Sequence, residues 1–255
     1  MAAPLRPATV YLVGAGPGAA DLITLRGLRI LRSADAVLHD ALVSDELLAE
    51  IRPDAERLYV GKRGYCVGST VQETIHEALV RLARAGKTVC RLKCGDPCVF
   101  GRGGEEAEAL AEAGIPFEIV PGVTSALGAA AAAGIPLTHR DVGQSVTFAT
   151  GHYDPDSPDC TLDWPALARA PAVVFYMASR HVAAIADKLA ACGMPADTAV
   201  AVIESGTLDG HRETVGELHD IGANAAGVQA PAILIVGEVV RKRASLSTLV
   251  AEALR

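Results

Sequence analysis

The sequence predicts an α/β protein made of two α/β domains, because short apolar runs typical of buried strands alternate with amphipathic helical patterns. In the first half of the chain, strand-like runs lie at 9–13, 36–39, 57–60, 88–93 and 117–120. Their near-continuous apolar character is typical of a parallel sheet that is covered on both faces. The pattern restarts with runs at 146–150, 172–176, 198–203 and 232–236. We therefore expect an N-terminal domain at 1–138, with a mainly parallel sheet, and a C-terminal domain at 139–255.

Helical patterns fill the intervals between the first strands. Leucine recurs every three residues from Leu22 to Leu31, as expected for one face of a helix. A capping box formed by Ser69 and Gln72 predicts the start of a second helix, and Gly86 predicts its end.

Two further helices are predicted in the second half, at 124–133 and 180–192. Gly134 ends the first of these, and Pro136 begins what we interpret as a connector between the domains. Right-handed crossovers would place the strand-end loops of each sheet on one edge, where ligands normally bind.

The composition argues against several classes of protein. With 50% apolar residues in a chain of 255, a sizeable core can be buried. The net charge of −7 argues against broad nucleic-acid binding, which needs a basic surface. The longest weakly polar run, at 125–137, is too short to cross a bilayer, and the amino end lacks the pattern of an export signal. We expect a cytoplasmic protein that binds neither membranes nor nucleic acid.

The six cysteines are expected to be free thiols, because nothing marks the chain for an oxidising compartment. Cys90, Cys94 and Cys98 fall at a regular spacing of four, which leaves a metal or iron–sulfur site open as an alternative. Metal knuckles usually place two residues between cysteines, however, and no fourth ligand follows nearby. We favour buried thiols at a strand end and expect no bound metal.

The Gly-Ala-Gly-Pro-Gly-Ala run at 14–19 satisfies the dinucleotide fingerprint, and Asp40 follows the second strand where a ribose-binding acid would stand. An NAD(P)-dependent oxidoreductase is therefore an alternative. A pyrophosphate clamp needs free N–H groups on a helix that opens directly from the glycines. Pro17 has no N–H, and the helical pattern begins only near Leu22, so a tight turn without a ligand is favoured over this alternative.

Four segments resemble the signature sequences of the tetrapyrrole methylases. Val-Tyr-Leu-Val-Gly-Ala-Gly-Pro-Gly at 10–18, with Asp-Leu at 21–22, is similar to the opening of that family. Gly-Asp-Pro at 95–97, followed by Phe-Gly-Arg-Gly-Gly-Glu-Glu at 100–106, resembles its most specific signature. Pro-Gly-Val-Thr-Ser-Ala at 121–126 and Gly-Ile-Pro-Leu-Thr-His-Arg at 134–140 complete the set. The resemblance covers about 9–240 and is greatest to the uroporphyrinogen-III C-methyltransferases.

The chain departs from the family pattern at three places. Cys94 and Cys98 stand where glycine and phenylalanine are usual, and the stretch at 65–70 is rewritten. The frequent Gly-Thr-Gln of the family is Gly-Thr-Leu at 206–208. These changes concern the shape of the pocket and leave the predicted fold unchanged.

The resemblance implies a homodimer that transfers methyl groups from S-adenosylmethionine to two ring carbons of uroporphyrinogen III, giving precorrin-2 and leaving S-adenosylhomocysteine. The cofactor is expected, folded up, in a cleft between the domains. Its implied contacts are Pro17, Cys94, Gly95, Asp96, Val99, Thr124, Ser125, Met177, Gly206 and Ala232. From its length we expect the methylase only, without the dehydrogenase and ferrochelatase module of bifunctional relatives.

Acid–base residues are implied at Asp40 and Lys62, each of which follows a predicted strand. Once a pyrrole carbon has been alkylated the ring is cationic, and a base must remove a proton from a neighbouring bridge carbon. Asp40 is the candidate base, although an acid after a strand is often only a turn residue. Lys62 can donate a proton or hold a carboxylate, but it can equally be an ordinary solvated lysine.

Arginines are the candidate substrate-binding residues, because uroporphyrinogen carries acetate and propionate on every ring and a guanidinium grips a carboxylate with two hydrogen bonds. We select Arg102 and Arg140, with Arg63 and Glu105 beside them; Arg102 is also counted with the catalytic residues. Arg102 can alternatively pair with the acids of the helix that follows it.

Four other functions remain open. Within the same fold, the chain can be a later corrin-ring methylase or a diphthine synthase. From other classes, the nicotinamide oxidoreductase and a non-catalytic nucleotide-binding module remain.

Overall fold

The computed structural model describes residues 10–61 and 72–243. The chain divides into two compact units, Met1–Ser125 and Ala126–Arg255, each with its own five-stranded sheet. The two α/β units confirm the predicted fold class. No helix among the described residues is long and apolar enough to cross a membrane.

The first sheet is entirely parallel, as predicted. Its strands are β1 (Val10–Gly14), β2 (Ala36–His39), β3 (Glu56–Tyr59), β4 (Val89–Lys93) and β5 (Phe117–Val120). They lie in the order β3-β2-β4-β1-β5. All five predicted runs are confirmed to within a residue or so at each end.

Helices cover both faces of this sheet, which explains why its central strands are apolar at successive positions. The helices are α1 (Leu25–Ser33), α2 (Asp45–Ala49), α3 (Gln72–Arg84) and α4 (Gly103–Glu112). Tyr11 and Val13 of β1 pack with α1 and α2, whereas Val10 and Leu12 pack with α3 and α4. Alternate residues of one strand therefore enter two separate cores.

The first helix differs from its prediction. A short 3-10 turn, Ala20–Leu22, comes first, and α1 begins only after Thr24, whose hydroxyl accepts a hydrogen bond from the Gly27 N–H at 3.0 Å. The buried face is Gly27, Ile30 and Leu31, so Leu31 is the only one of the four regularly spaced leucines that is buried. A strict period of three drifts around a helix of 3.6 residues per turn, so most of those leucines leave the core face.

The predicted second helix is confirmed as α3, with Gly86 in a left-handed conformation just beyond its end. Ser69 of the predicted capping box lies outside the described residues. Gln72 is the first described residue of α3, and its side-chain amide donates to Glu106 at 3.3 Å.

The second sheet is mixed, which corrects the expectation of crossover connections throughout. Its strands are β6 (Thr147–Thr150), β7 (Val173–Tyr176), β8 (Ala199–Glu204), β9 (Arg212–Glu217) and β10 (Ala232–Val236), in the order β6-β7-β10-β8-β9. Only β6 and β7 pair in parallel; the other three pairings are antiparallel. Strand β9 was not predicted, because an edge strand reading Arg-Glu-Thr-Val-Gly-Glu carries one large apolar residue.

Further helices of the described residues accompany the second sheet. They are α6 (Trp164–Ala168), α7 (Val182–Ala191), α8 (Ile221–Asn224) and a 3-10 helix (Glu238–Lys242). The first three contribute Trp164, Ile185 and Ile221 to a core with the strands, so α7 confirms the helix predicted at 180–192.

Helix α5 (Ser125–Ala132) explains why the units divide at 125 while the prediction placed the boundary at 138. The Ala126 N–H donates to the Tyr176 hydroxyl at 3.3 Å. A Cβ on Gly206 would lie 2.8 Å from the Cβ of Ala129. The helix therefore packs on the loops of the second sheet, although its sequence follows directly from the first.

Close backbone packing joins the ends of three strands in the first unit. A Cβ on Gly122, after β5, would lie 2.3 Å from the Gly95 carbonyl oxygen, after β4, and 2.8 Å from the Cα of Gly14, the last residue of β1. Contacts this short leave no space for a side chain.

We expect Gly122→Ala to lower the free energy of unfolding by about 1–3 kcal/mol, because backbone atoms must move to admit the methyl group. Gly104→Ala is the control, since its Cβ would meet nothing within 4 Å and it lies inside α4. The control should be neutral or slightly stabilising. Urea unfolding measures both, and equal stabilities for the two variants would contradict the tight packing at Gly122.

Candidate active site

The carboxyl edge of the first sheet collects most of the predicted cofactor contacts. Pro17 follows β1, the Cys94–Asp96 segment follows β4, and Thr124 follows β5. Asp40 comes directly after β2. Since all these strands run in parallel, their ends lie on the same edge, where ligands bind in open α/β sheets.

The glycine loop after β1 pairs with the loop after β4. Gly16 and Gly95 form an isolated antiparallel bridge, with N–H···O distances of 3.2 and 2.7 Å in the two directions. No helix opens from the glycines, because the 3-10 turn intervenes before Leu25. The arrangement lacks the helix amino terminus that a dinucleotide pyrophosphate requires, which argues against the oxidoreductase alternative.

Asp96 braces two of these loops. One carboxylate oxygen accepts from the Cys98 N–H at 2.8 Å, and the other accepts from the Gly122 N–H at 3.1 Å. The carboxylate thus closes a turn with Cys98 and ties it to the loop after β5. Each oxygen keeps acceptor capacity for one further donor.

The loop that leads into α4 folds tightly back on Pro97. A Cβ on Gly101 or Gly103 would lie 2.6 or 2.4 Å from the Pro97 carbonyl oxygen. Arg102, at the amino end of α4, has a left-handed backbone with φ of 59°. Its guanidinium pairs with Glu105. The structure thus shows the pairing with a following acid that the sequence left open.

Three predicted contacts of the second unit also share one edge of a sheet. Met177 follows β7, Gly206 follows β8, and Ala232 begins β10. Because β10 lies between β7 and β8 and runs antiparallel to both, its first residue meets their carboxyl ends. The Ser205 N–H donates to the Pro231 carbonyl at 2.9 Å and holds two of these loops together.

Backbone strain is concentrated in the loops that carry predicted site residues. Among the described residues, five that are not glycine have left-handed φ angles: Phe100, Arg102, Met177, Ser205 and Thr207. Such conformations cost about 1–3 kcal/mol each and cluster at functional sites. Ser205 and Thr207 flank Gly206, and Met177 leaves its side chain about half exposed.

Arg140 lines a shallow cavity of about 340 Å³ together with Thr138, His139 and Gln144. The turn is closed by reciprocal backbone hydrogen bonds between His139 and Gly143, at 2.8 and 2.9 Å. No described carboxylate forms an ion pair with the exposed Arg140. Arg140 is therefore better placed than Arg102 to receive a carboxylate from a ligand.

A buried group of charges behind Asp40 was not anticipated from the sequence. Arg91 and Lys93 of β4 and Glu106 of α4 have side chains no more than 3% exposed. The Arg91 Nη2 donates to the Asp40 Oδ1 at 2.5 Å, and its Nε donates to the Glu106 Oε1 at 3.2 Å. The Lys93 ammonium reaches the same Glu106 oxygen at 2.9 Å.

The sequence carried a signal for this group. Arg91 and Lys93 stand two residues apart in a strand and so project from one face of the sheet. Glu106 lies in the buried stripe of α4 with Gly103, Ala107 and Leu110, where an apolar residue is expected. Glu106 is thus one of the acids that follow Arg102 in the sequence, but its position in α4 faces the core.

Burial changes the acidity of several groups beside Asp40. Burial, and then the charge of Arg91, lowers the pKa of Lys93. Burial, and then the charge of Asp40, raises the pKa of Cys94 to about 11, and burial raises that of Cys90 to about 12. Both cysteines are therefore protonated thiols near neutral pH. Among the described residues, the cysteines are free, and no cluster of His, Cys, Asp and Glu is arranged for a metal.

Lys62 and Arg63 lie outside the described residues, so their predicted roles stay predictions. Thr124 is buried, Ser125 begins α5, and Val99 is partly buried in the loop before α4. Each of the predicted cofactor contacts thus lies on a strand-end loop or at the start of a helix or strand. Their contact with a ligand stays a prediction.

Comparison with known proteins agrees with this architecture. The sequence model of the family Tetrapyrrole (Corrin/Porphyrin) Methylases matches residues 9–222. Siroheme synthase 1 of Yersinia pseudotuberculosis is 53% identical over 232 residues, which are 91% of this chain and 48% of that protein. The siroheme synthase of Neisseria meningitidis is 52% identical over 233 residues, 91% of this chain and 47% of that protein. The chain thus spans about half the length of these curated relatives.

Two solved structures are similar over nearly their whole length. Uroporphyrin-III C-methyltransferase of Thermus thermophilus, complexed with S-adenosylhomocysteine, has a TM-score of 0.79 and 40% identity, covering 91% of this chain and 99% of that one. A cobalt precorrin-4 methyltransferase has a TM-score of 0.81 and 30% identity, covering 91% of this chain and 96% of that one. Fold, strand-end loops and sequence lead to one assignment: this chain belongs to the tetrapyrrole (corrin/porphyrin) methylases.

Proposed function

We propose that this chain is an S-adenosylmethionine-dependent methyltransferase that methylates two ring carbons of uroporphyrinogen III, giving precorrin-2 by way of precorrin-1. The observation that carries the proposal is the carboxyl edge of the first sheet. There the closely packed loops after β1, β4 and β5 share the edge with Asp40, which is held by the buried Arg91. The 40% identical Thermus thermophilus enzyme, complexed with S-adenosylhomocysteine, supports the choice of cofactor.

The residues at these loops fit the cofactor chemically. Gly95 has no side chain to cover its backbone, and two hydroxyls stand at Thr124 and Ser125. In the second unit, the predicted contact Met177 has a half-exposed thioether. These groups suit the ribose, amino-acid and adenine parts, which offer polar and apolar surfaces. Once bound, S-adenosylmethionine supplies an electrophilic methyl group.

The main task of the chain in this reaction is positioning, because an in-line displacement needs the nucleophilic carbon held against the methyl group. Asp40 accepts the proton that the alkylated ring loses from a neighbouring bridge carbon. Its side chain is 27% exposed, and its Oδ1 is engaged by Arg91. No described residue donates to its Oδ2, so this oxygen remains to receive the proton.

The carboxylates of the tetrapyrrole are bound by arginines. Arg140 binds one of them in its shallow cavity. Arg102 binds another, although its guanidinium is also paired with Glu105. Lys62 as proton donor, Arg63 as a further contact, a homodimer and a cytoplasmic location belong to the same proposal.

A later corrin-ring methylase is the second candidate, favoured by the likeness to a cobalt precorrin-4 methyltransferase. The lower identity, 30% against 40% for the uroporphyrin-III enzyme, makes it the weaker one.

Incubation with methyl-labelled S-adenosylmethionine separates the candidates. We expect the label to appear in uroporphyrinogen III, in two methyl groups per molecule, and not in a cobalt precorrin. Labelled product is followed by chromatography and mass spectrometry under anaerobic conditions. Label in the cobalt precorrin alone would replace the first candidate by the second, and binding of NADH without S-adenosylhomocysteine binding would exclude both.

Asp40→Asn keeps the shape of the side chain but removes the base, so we expect single turnover to slow by about a hundredfold or more. The affinities for S-adenosylhomocysteine and the tetrapyrrole, measured by calorimetry, should stay within about threefold of the parent values, because the variant keeps the size of the site. Asp45→Asn, an exposed acid at the start of α2, is the control. Normal turnover of Asp40→Asn would show that the base lies elsewhere.

Arg140→Ala should weaken tetrapyrrole binding by about ten- to a hundredfold, since a charge-assisted hydrogen bond contributes about 1.5–3 kcal/mol. Arg102→Ala should cost less, because its guanidinium is already paired with Glu105. Arg169→Ala, exposed at the end of α6, is the control for loss of a surface charge. Loss of S-adenosylhomocysteine affinity in the Arg140 variant would contradict the division of roles.

A further inference from the structure

Arg91 is fixed at all three of its nitrogens. Nε donates to Glu106 at 3.2 Å, Nη1 donates to the Leu92 carbonyl at 3.3 Å, and Nη2 donates to Asp40 at 2.5 Å. The side chain is 2% exposed, so little water competes for these contacts. A guanidinium held at each nitrogen has one orientation, and it therefore fixes the orientation of the carboxylate that it binds.

The backbone of Asp40 is tied to the same point. Its N–H donates to the Leu92 carbonyl at 3.3 Å, which is also the acceptor of the Arg91 Nη1. Arg91 lies in β4 opposite Leu38 of β2, and Asp40 is the first residue after β2. Main chain and side chain of Asp40 are therefore held by one strand, at adjacent positions.

Glu106 balances the charge of the two cations. Its Oε1 accepts from Arg91, Lys93 and the amide of Gln72, while its Oε2 has no hydrogen-bond partner among the described residues. Burying such a group is a poor way to gain stability, because desolvation offsets the attraction and apolar residues often do as well. A role in orienting the one partly exposed member, Asp40, accounts for the burial of the other three.

We infer that Arg91, anchored by Glu106, is a positioning residue that holds the Asp40 carboxylate in the orientation needed to remove the proton from the methylated tetrapyrrole. The inference rests on the proposed function of Asp40 as the base. Lys93 shares Glu106 with Arg91 but forms neither a hydrogen bond nor an ion pair with Asp40, so it supports the anchor and not the base.

A double-mutant cycle tests this in the full chain. Arg91→Gln should slow single turnover by about tenfold or more, with the affinities for S-adenosylhomocysteine and uroporphyrinogen III within about threefold of the parent, since it acts on the chemical step. In the Asp40→Asn background the same change should slow turnover by less than about twofold, because residues that act as one unit are not additive.

Lys93→Gln is the matched control, since it also removes one buried cation and one contact with Glu106. Its coupling to Asp40→Asn should be much weaker than that of Arg91→Gln, because Lys93 contacts Glu106 but makes no hydrogen bond with Asp40. If Arg91→Gln fails to fold, Arg91→Lys completes the cycle, because a lysine keeps the charge but cannot hold three acceptors in a fixed fork.

The outcomes are distinct. Equal slowing by the Arg91 variant in both backgrounds overturns the positioning role while Asp40 stands as the base. Normal turnover of Asp40→Asn overturns the base, and the inference with it. Equal coupling of Lys93 and Arg91 to Asp40 shows a general effect of buried charge and also overturns the specific role of Arg91.

Discussion

The close backbone packing of Gly14, Gly95 and Gly122 is the constraint from which the site in the first unit follows. Strand β1 ends at Gly14, and Gly95 and Gly122 follow β4 and β5 by two residues. A Cβ on Gly14 or Gly122 would lie 2.7 or 2.3 Å from the Gly95 carbonyl oxygen, so these two positions admit no side chain. The Gly16–Gly95 bridge and the two hydrogen bonds to Asp96 then fix the loops relative to one another. The predicted cofactor residues of this unit are therefore held by main-chain hydrogen bonds together with the Asp96 carboxylate.

Beside this backbone scaffold, the first sheet buries charge instead of apolar side chains at one end. β4 supplies Arg91 and Lys93 to one face, and α4 supplies Glu106 against them. The arrangement is costly in an apolar core and is satisfied only because each cation has a carboxylate within hydrogen-bond distance. Through Arg91, Glu106 of α4 is linked to Asp40, which is partly exposed.

The second unit also gathers its predicted cofactor residues at one edge of a sheet, although its strands are connected differently. An antiparallel β10 inserted between β7 and β8 brings the start of one strand to the ends of two others. The strained residues Met177, Ser205 and Thr207 stand at those ends. Helix α5 packs over Gly206 and joins this edge to the chain that leaves the first sheet.

The sequence by itself determined nine of the ten strands that the structure describes, because near-continuous apolar runs and glycine-marked ends are local features, and its motifs determined the family. It also placed Asp40 and the 94–96 loop on strand ends, since strand boundaries are readable from composition. Only the tertiary structure decided that β10 runs antiparallel, that β9 exists as a polar edge strand, and that Arg102 pairs with Glu105 while Glu106 is buried. These depend on contacts between residues distant in sequence: Arg91 and Asp40 are 51 positions apart, and the hydrogen bond between them is formed only when β2 and β4 pair.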